Sequence, residues 1–385
     1  MECYLDNSAT TRVAEEAADV VREVMLTDYG NPSSLHNIGF AAEKHLRSAR
    51  ETFAGILKCY PKNILFTSGG TESNNTAITG TAIFKKKRGK HLITTPIEHP
   101  AVSRVMKFLE EQGFEIDKLD VNSEGFINIE QLEELIRPDT ILVSIMHVNN
   151  EIGTVEPIRE AGEAIHRINP DCLFHVDDIQ GFGKLPLLPG DCHIDMLSAS
   201  SHKLHGPKGV GLLYLSERSH ISPIIFGGGQ MNGMRSGTEN VPGIAGFAKA
   251  ARLAYDGLEK KTAAMYLLRK AFIEDLLKIP DVYINGAKDE NRAAPHIVSA
   301  SIKGVRAEVL LHALEDKGIY VSSGSACSSN HRSVSATLKA VNAPDWAHES
   351  TVRFSFSFYT TKEELDYTIS VLNEIIPQLR KFVRR

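Results

Sequence analysis

Between residues 64 and 215, short apolar runs alternate with stretches of helical periodicity, and this alternation limits the folds open to the chain. The predicted strands are Ile64–Thr67, His91–Thr95, Phe114–Leu119, Ile141–Met146, Cys172–Asp177, Met196–Ser198 and Val210–Leu215. Strands separated by helices pair into a largely parallel sheet with helices on both faces. Ligands of such α/β sheets bind at the carboxyl ends of the strands, so a functional site is expected there.

The two ends of the chain are organised differently. Helical patterns run from about Val13 to Leu26 and then up to about Leu57, ahead of the first strand. After a helical region from about Gly243 to Lys278, the order becomes strand Ile297–Ile302, helix Ala307–Lys317, a polar loop, a helix, strand Thr351–Phe356 and a last helix. A chain of 385 residues is longer than a domain with a single hydrophobic core usually is. The sequence therefore predicts a large domain over 13–250 and a smaller α+β domain formed by 1–12 and 251–385.

Composition excludes several classes of function. The net charge is -5 and there is no long basic stripe, which argues against direct nucleic-acid binding. No apolar run is long enough to span a bilayer, and the first residues lack the basic start of a signal peptide. The cysteines are odd in number and scattered, without a disulfide or zinc pattern: Cys3, Cys59, Cys172, Cys192 and Cys327. These features predict a cytoplasmic enzyme without a metal.

The stretch from Asp195 to Gly211 places a lysine between two predicted buried strands. An apolar run ends in hydroxyl residues, His202 and Lys203 follow, and Gly206-Pro207 turns the chain into the next strand. Desolvation disfavours a charged lysine, and a neutral amine can attack an aldehyde such as that of pyridoxal phosphate. A lysine beside a glycine turn is more often a solvated loop residue, so this stretch alone does not decide between the two.

Polar residues follow other predicted strands. Ser68-Gly-Gly-Thr71 leads into a helix, and its glycines and free N–H groups suit a phosphate, although a capped turn is the plainer alternative. Asp177 closes a buried strand and requires a cationic or hydrogen-bond-donating partner, for which a protonated pyridine nitrogen is suitable. His99 could lie flat on a cofactor ring or be a structural histidine. Asn149-Asn150 adds amide groups at the same edge.

Two further residues lie in the predicted small domain. Cys327 is surrounded by small polar residues, whereas structural cysteines usually have apolar neighbours, so a nucleophilic role is favoured. Arg353 lies in an apolar strand and requires a carboxylate partner. That partner is either the carboxylate of a substrate or a structural Asp or Glu, and the sequence favours neither.

Taken together, these segments resemble the cysteine desulfurases of the NifS/IscS type, which are class V aminotransferases and fold type I pyridoxal-phosphate enzymes. The resemblance spans nearly the whole chain. It rests on Tyr-Leu-Asp-Asn-Ser-Ala-Thr-Thr, Gly-Asn-Pro-Ser-Ser-Leu-His, Thr-Ser-Gly-Gly-Thr-Glu-Ser-Asn-Asn, Ile-Glu-His, His-Val-Asn-Asn-Glu-Ile-Gly, His-Val-Asp-x-x-Gln, Ser-x-His-Lys-x-x-Gly-Pro-Lys-Gly, Met-Arg-Ser-Gly-Thr-Glu-Asn, Ser-Ser-Gly-Ser-Ala-Cys and Arg-Phe-Ser. In that order and spacing the set is highly specific.

The resemblance implies a pyridoxal 5'-phosphate site. Lys203 would form the Schiff base, Asp177 would pair with the pyridine nitrogen, Gln180 would face the ring hydroxyl and His99 would stack on the ring. The cofactor phosphate would be held by Gly70, Thr71, Ser200 and His202. Thr238 would reach across a homodimer to the phosphate that is bound by the partner subunit.

The resemblance also implies the reaction. L-cysteine would be bound through its carboxylate by Asn150 and Arg353, Lys203 would remove its α-proton, and its sulfur would pass to Cys327 as a persulfide while L-alanine leaves. The persulfide would go to an acceptor protein, such as an iron–sulfur scaffold or a tRNA-thiolation enzyme. Gly324 and neighbouring serines would let the Cys327 loop move.

Four places depart from the usual pattern of the family: Asp178, Met231-Asn232, Ser333-Val334 and Ser357-Phe358. On a strand, the side chain of Asp178 should point away from the cofactor ring, so little effect on the reaction is expected. The other changes could affect which sulfur acceptor is used and the turnover rate.

The alternative functions are a selenocysteine lyase or another class V enzyme, a non-catalytic binding protein that has kept the fold, and a cysteine hydrolase using Cys327 with a histidine. Neither an aminotransferase nor a scaffold explains Cys327, and a hydrolase does not explain Lys203.

Overall fold

The computed structural model describes residues 1–323 and 335–381. The strands in these ranges are β1 (Cys3–Tyr4), β2 (Ile64–Thr67), β3 (His91–Thr94), β4 (Glu115–Lys118), β5 (Thr140–Met146), β6 (Leu173–Asp177), β7 (Met196–Ser200), β8 (Gly211–Leu215), β9 (Val282–Asn285), β10 (Ile297–Ile302), β11 (Ile319–Tyr320) and β12 (Thr351–Ser355). The α-helices are α1 (Glu15–Leu26), α2 (Asn37–Leu57), α3 (Gly70–Lys85), α4 (Pro100–Glu111), α5 (Ile129–Leu135), α6 (Ile158–Ile168), α7 (Val241–Tyr255), α8 (Leu258–Leu276), α9 (Ala307–Glu315), α10 (Ala336–Ala340) and α11 (Lys362–Lys381). None of these helices is long and apolar enough to cross a membrane.

A seven-stranded sheet forms the centre of the molecule, in the order β2-β8-β7-β6-β5-β3-β4. The pairs from β7 to β4 are parallel, whereas β8 runs antiparallel to both of its neighbours. The reversal follows from chain length, because the short connection between Ser200 and Gly211 has no room for the crossover that a parallel pair requires. The predicted, mainly parallel sheet is therefore confirmed.

Both faces of this sheet are buried, as parallel sheets require. Alternate residues along a strand point to opposite faces, so Leu142 and Leu173 join one apolar cluster, while Val143 and Phe174 join another. Helices α1, α2 and α7 cover the second face, where Phe53 lies in van der Waals range of other buried rings. The sheet is thereby held rigid, and its strand ends are fixed points for a site.

A smaller three-stranded antiparallel sheet has the order β12-β10-β9 and packs under α8, α9 and α11. Its core includes Phe272, Phe354 and Phe356, and Leu5 from the N-terminal segment belongs to the same apolar cluster. That segment adds β1 beside β11, in parallel, and Asp6 forms a bridge with Ser355. The N-terminal residues thus pack on this sheet, while the exact domain boundaries remain a prediction.

The predicted helical region from about Gly243 to Lys278 is two helices rather than one. Gly257, with φ of 65°, separates α7 from α8. Backbone of that conformation cannot continue a right-handed helix and is easily adopted by glycine. The break lets α7 cover the large sheet, while α8 packs against β10 and α11.

Candidate active site

Lys203 lies at the carboxyl edge of the large sheet, in a short 3-10 turn (Ser201–Lys203) that follows β7. Its Nζ donates hydrogen bonds to the carbonyl of Ser8 and, at 2.9 Å, to the carbonyl of Ala9. Its own backbone carbonyl accepts a hydrogen bond of 2.8 Å from Nζ of Lys184. The lysine is therefore fixed at both ends, and it is not the solvated loop residue that the sequence left as an alternative.

Asp177 ends β6 and is 4% exposed. Its carboxylate accepts a hydrogen bond of 2.7 Å from Nδ2 of Asn74 and one of 3.1 Å from the backbone N–H of Ile179. Burial raises the pKa of Asp177, against the opposing effects of His99, these hydrogen bonds and Lys203. The carboxyl group is thus oriented and dry, and a cation brought to it would restore its ionised form.

His99 caps α4, where its Nδ1 accepts a hydrogen bond of 3.1 Å from the backbone N–H of Ala101. Burial lowers the pKa of His99, with Lys203 and Arg104 acting in the same direction and Asp177 against them. The ring is therefore neutral at physiological pH, with its proton on Nε2. A neutral ring in a fixed orientation at the strand ends is suited to stacking on a flat ligand.

The predicted phosphate cradle is formed where β2 leads into α3. A Cβ atom at Gly70 would lie 2.1 Å from Cδ1 of Ile179, so a larger residue there would force Ile179 to move. Thr71 is exposed in the first turn of α3, and the buried Oγ of Ser200 has no hydrogen-bond partner within the described part of the chain. Free N–H groups at the start of the helix and an unpaired hydroxyl beside it suit an anion.

His202 and Gln180 complete the same edge. Burial, with a smaller contribution from the charge of Lys203, lowers the pKa of His202 to about 4. The Nδ1 atom of His202 lies 3.2 Å from Oγ1 of Thr10. The amide of Gln180 donates to the carbonyl of Ser8 at 3.0 Å, while its buried Oε1 has no partner among the described residues. An unpaired amide oxygen beside Asp177 can accept a hydrogen bond from a ligand hydroxyl.

Arg353 reaches this region from β12 of the small sheet. Its Nη2 lies 3.0 Å from Oδ1 of Asp6, and its Nη1 donates to the carbonyl of Asn150 at 2.7 Å. A structural carboxylate partner is therefore present, which was one of the two possibilities that the sequence left open. The buried Nε has no partner among the described residues. The guanidinium group thus keeps hydrogen-bonding capacity beyond Asp6 and Asn150.

Thr238 is exposed, in a segment that is anchored to the cradle. Arg235 in this segment donates to Glu72 in the first turn of α3, with Nε to Oε1 at 2.9 Å. Burial opposes ionisation of Glu72, but hydrogen bonds from Arg235 and Ser68 hold its pKa below the usual value. Cys327, by contrast, lies outside the described residues.

Several residues of the site were assigned no role in the sequence analysis. Asn74, Lys184, Asp6 and the carbonyls of Ser8 and Ala9 contact residues predicted to be functional. For Asn74 a signal existed, since it is one turn after Gly70 on α3 and therefore faces the same edge of the sheet. Asp6, Ser8 and Ala9 lie in the first segment of the family resemblance, but no sequence pattern gives their contacts or that of Lys184, because these partners are set by tertiary packing.

Three of the four departures from the usual family pattern fall within the described residues. The carboxylate of Asp178, the residue after β6, is 2.6 Å from Nδ1 of His147. The sulfur of Met231 accepts a hydrogen bond from Nη2 of Arg50, and the ammonium group of Lys261 lies over the ring of Phe358. The positions 333–334 lie outside the described residues.

These residues fit pyridoxal phosphate. The glycine cradle with the unpaired Ser200 hydroxyl suits its phosphate, buried Asp177 suits a protonated ring nitrogen, and Gln180 suits the ring hydroxyl. The amine of Lys203 at the same edge suits its aldehyde. Among the described residues, no cluster of His, Cys, Asp and Glu could hold a metal ion.

Comparison with known proteins points to the same chemistry. The aminotransferase class V family matches residues 3–368. A cysteine desulfurase IscS from Dictyoglomus turgidum is 44% identical over 98% of this chain and 95% of its own length. A mitochondrial cysteine desulfurase from Candida albicans is 43% identical over 98% of this chain and 77% of its own. The solved structure of a NifS-like protein superimposes with a TM-score of 0.93 at 37% identity, over 98% of this chain and 100% of that protein. The chain therefore belongs to the class V aminotransferases, and within them to the pyridoxal-phosphate-dependent cysteine desulfurases of the NifS/IscS type.

Proposed function

We propose that this desulfurase converts L-cysteine to L-alanine, with Lys203 and Asp177 serving the cofactor, Arg353 the substrate and Cys327 the sulfur. The observation that carries this assignment is the turn of residues 6–9, which touches groups from both sheets. Its carbonyls accept from Lys203 and Gln180, while Asp6 pairs with Arg353. One turn of chain thus connects the cofactor residues with the arginine.

The described residues have separate tasks around the cofactor. When bound, pyridoxal phosphate supplies an electron-withdrawing ring that stabilises negative charge at the α-carbon of the substrate. Asp177, oriented by Asn74, would keep a proton on the ring nitrogen, and neutral His99 would cover the ring. Lys203 would take the α-proton on its amine. Gly70, Thr71, Ser200 and His202 would hold the phosphate, and Thr238 would reach the phosphate bound by the partner subunit.

The substrate carboxylate is bound by Arg353 and Asn150. Arg353 is 3% exposed, and its guanidinium has five donors, of which the contacts to Asp6 and Asn150 use two. A carboxylate can therefore pair with the remaining donors in a dry environment, where such pairs are strong.

Cys327 accepts the sulfur. Backbone hydrogen bonds join Ser322 to Arg353, so the chain leaves the described fold beside the arginine, five residues before Cys327. The Cys327 thiolate forms an S–S bond to the substrate sulfur while the C–S bond breaks. The electron pair of that bond remains on the β-carbon, which takes up a proton to become the methyl group of alanine.

A second copy of the chain and an acceptor protein complete the proposal. Thr238 is exposed, and the surface of the described residues carries large exposed apolar side chains, among them Tyr29, Leu35, Phe40 and Phe226. Exposed apolar surface of this kind supports a homodimer. We place the enzyme in the cytoplasm, passing its persulfide to an iron–sulfur scaffold or a tRNA-thiolation enzyme. The named relatives are cysteine desulfurases, which favours this activity over that of a selenocysteine lyase.

Replacing Cys327 with alanine tests the proposal. The C327A holoenzyme should bind L-cysteine and change the visible spectrum, but it should release almost no alanine and carry no persulfide by mass spectrometry. Cys59 provides the matched control, because burial raises the pKa of this thiol to about 11 and leaves it unreactive. The C59A variant should retain the wild-type rate. Alanine formation at the wild-type rate in C327A would remove Cys327 from the mechanism.

A further inference from the structure

Lys184 is a buried lysine that the mechanism above does not use. It follows the tight turn after β6, and its side chain is 5% exposed. Its Nζ donates to the backbone carbonyl of Lys203 at 2.8 Å, and its own carbonyl accepts from Oγ1 of Thr262 on α8 at 2.7 Å. Its backbone N–H is bonded to the carbonyl of Gly181. Both ends of Lys184 are therefore fixed directly beneath the Lys203 turn.

Burying an ammonium group carries a large desolvation cost. Burial, together with the nearby charge of Lys203, lowers the pKa of Lys184 to about 7, and Asp178 acts in the opposite direction. The carboxylate of Asp178 is already bonded to His147, so it offsets the cost only in part. A glutamine amide could make the same hydrogen bond to Lys203 at a much smaller cost, so that hydrogen bond alone does not require a lysine at this position.

We propose that Lys184 is a positioning residue for Lys203: it anchors the backbone of the Lys203 turn, and its charge disfavours a second positive charge on the Lys203 amine. The proposal rests on the assigned role of Lys203 as the lysine that carries the cofactor. A neutral amine is the form that attacks an aldehyde and takes a proton from a substrate, so a neighbouring cation favours both steps.

The other titratable groups around Lys203 do not supply this effect. Among the groups that interact electrostatically with it are Asp6, Asp177, His99, His202, His296 and Lys184. The two carboxylates favour a charged amine. The three histidines are neutral, because burial lowers their pKa values, to about 4 for His202 and well below the ordinary value for His296. Lys184 opposes the carboxylates.

Two substitutions separate the charge from the hydrogen bond. K184Q removes the charge and keeps a donor for the Lys203 carbonyl, whereas K184M removes both. K85Q is the matched control, since Lys85 also donates to a backbone carbonyl, that of Asp171, but away from Lys203. The readouts are the pH midpoint of the visible absorbance of the holoenzyme, which follows the proton on the Lys203 nitrogen, and the Tm of the apoprotein.

Both K184Q and K184M should move the absorbance midpoint to higher pH by up to about one unit, since each removes the like charge that Lys184 carries below its pKa of about 7. K184M should also lower the Tm of the apoprotein, and K85Q should leave the midpoint unchanged. An unchanged midpoint in both Lys184 variants, with a lowered Tm, would reduce Lys184 to a structural role and overturn the inference. Borohydride trapping followed by peptide mapping keeps the two proposals apart: cofactor on another lysine in the wild type would overturn the assignment of Lys203, and this inference with it.

Discussion

The pair between Asp6 and Arg353 can be broken without touching any residue assigned to the cofactor. The side chain of Arg353 is 4% exposed and that of Asp6 is 20% exposed, with 3.0 Å between the paired atoms. In D6A, the guanidinium group would keep the carbonyl of Asn150 as an acceptor but lose its carboxylate. A buried cation without its counter-charge destabilises the folded state.

The magnitude follows from the burial of the pair. Removing one partner of a fully buried ion pair costs about 3–5 kcal/mol. Asp6 is partly exposed, and burial raises its pKa in spite of Arg353, so the carboxylate itself carries a desolvation cost that the substitution relieves. We therefore expect D6A to lower the free energy of unfolding of the apoprotein by about 2–3 kcal/mol. D6N should cost less, because its amide oxygen still accepts a hydrogen bond from Arg353.

Urea unfolding of the apoprotein, followed by far-UV circular dichroism, measures this loss. The control is E43A, which removes an exposed pair with Arg47 at the same distance of 3.0 Å and should change the free energy of unfolding by less than about 0.5 kcal/mol. In the holoenzyme, L-alanine should stabilise D6A more than the wild type, because its carboxylate can replace that of Asp6. A D6A loss no larger than that of E43A would refute the reasoning.

Three further substitutions test the cofactor residues and the buried charges. K203A should abolish covalent fixation of the cofactor by borohydride and abolish alanine formation, as peptide mapping and product assay would show. D177N should lower alanine formation at least about 100-fold at matched cofactor occupancy, because an amide cannot hold the ring nitrogen protonated. Burial raises the pKa of Glu156 from 4.5 to about 8, so its contribution to stability is fully present below about pH 4.5 and is lost as the pH rises towards 8. The stability of E156Q relative to the wild type, measured by urea unfolding at each pH, should accordingly rise by a few kcal/mol between about pH 5 and pH 8.

The large sheet could be predicted from the sequence because its strands, apart from the edge strand β4, are buried on both faces. Strand β2 has the predicted bounds, and the ends of β5 and β6 differ from prediction by one residue. Their continuous apolar runs contrast with β9, which was not predicted. That strand has four residues and is half exposed, so neither an apolar run nor a clear alternation marks it.

The break between α7 and α8 was missed for a related reason. Apolar periodicity continues through Tyr255, and a single glycine is compatible with a helix at some cost in stability. Only the packing of α7 on the large sheet and α8 on the small one shows why the chain must turn at Gly257. A pattern within one helix carries no information about which sheet it covers.

The roles of the cofactor residues came from motifs, whereas their supporting partners depend on the tertiary fold. Asn74 and Asp177 are 103 residues apart in the chain, and Asp6 and Arg353 are 347 apart. No local pattern records such contacts. Arg353 is an example: its position in an apolar strand predicted a carboxylate partner, but the sequence did not identify that partner as Asp6.

The turn of residues 6–9 shows why Asp6 is the appropriate place to perturb the connection between the two sheets. The turn holds Lys203 and Gln180 through backbone carbonyls, which every residue type carries, so substitutions of the Ser8 or Ala9 side chains would leave those hydrogen bonds in place. On the other side, the contact to Arg353 passes through the Asp6 carboxylate and can be removed by a single substitution. Because the carbonyl of Asp6 also accepts from the N–H of Ala9, a shift of Asp6 is transmitted to the carbonyl that holds the Lys203 amine. D6A should therefore weaken the hydrogen bond between the Lys203 amine and the Ala9 carbonyl, in addition to removing the carboxylate partner of Arg353, although neither Lys203 nor Arg353 is changed.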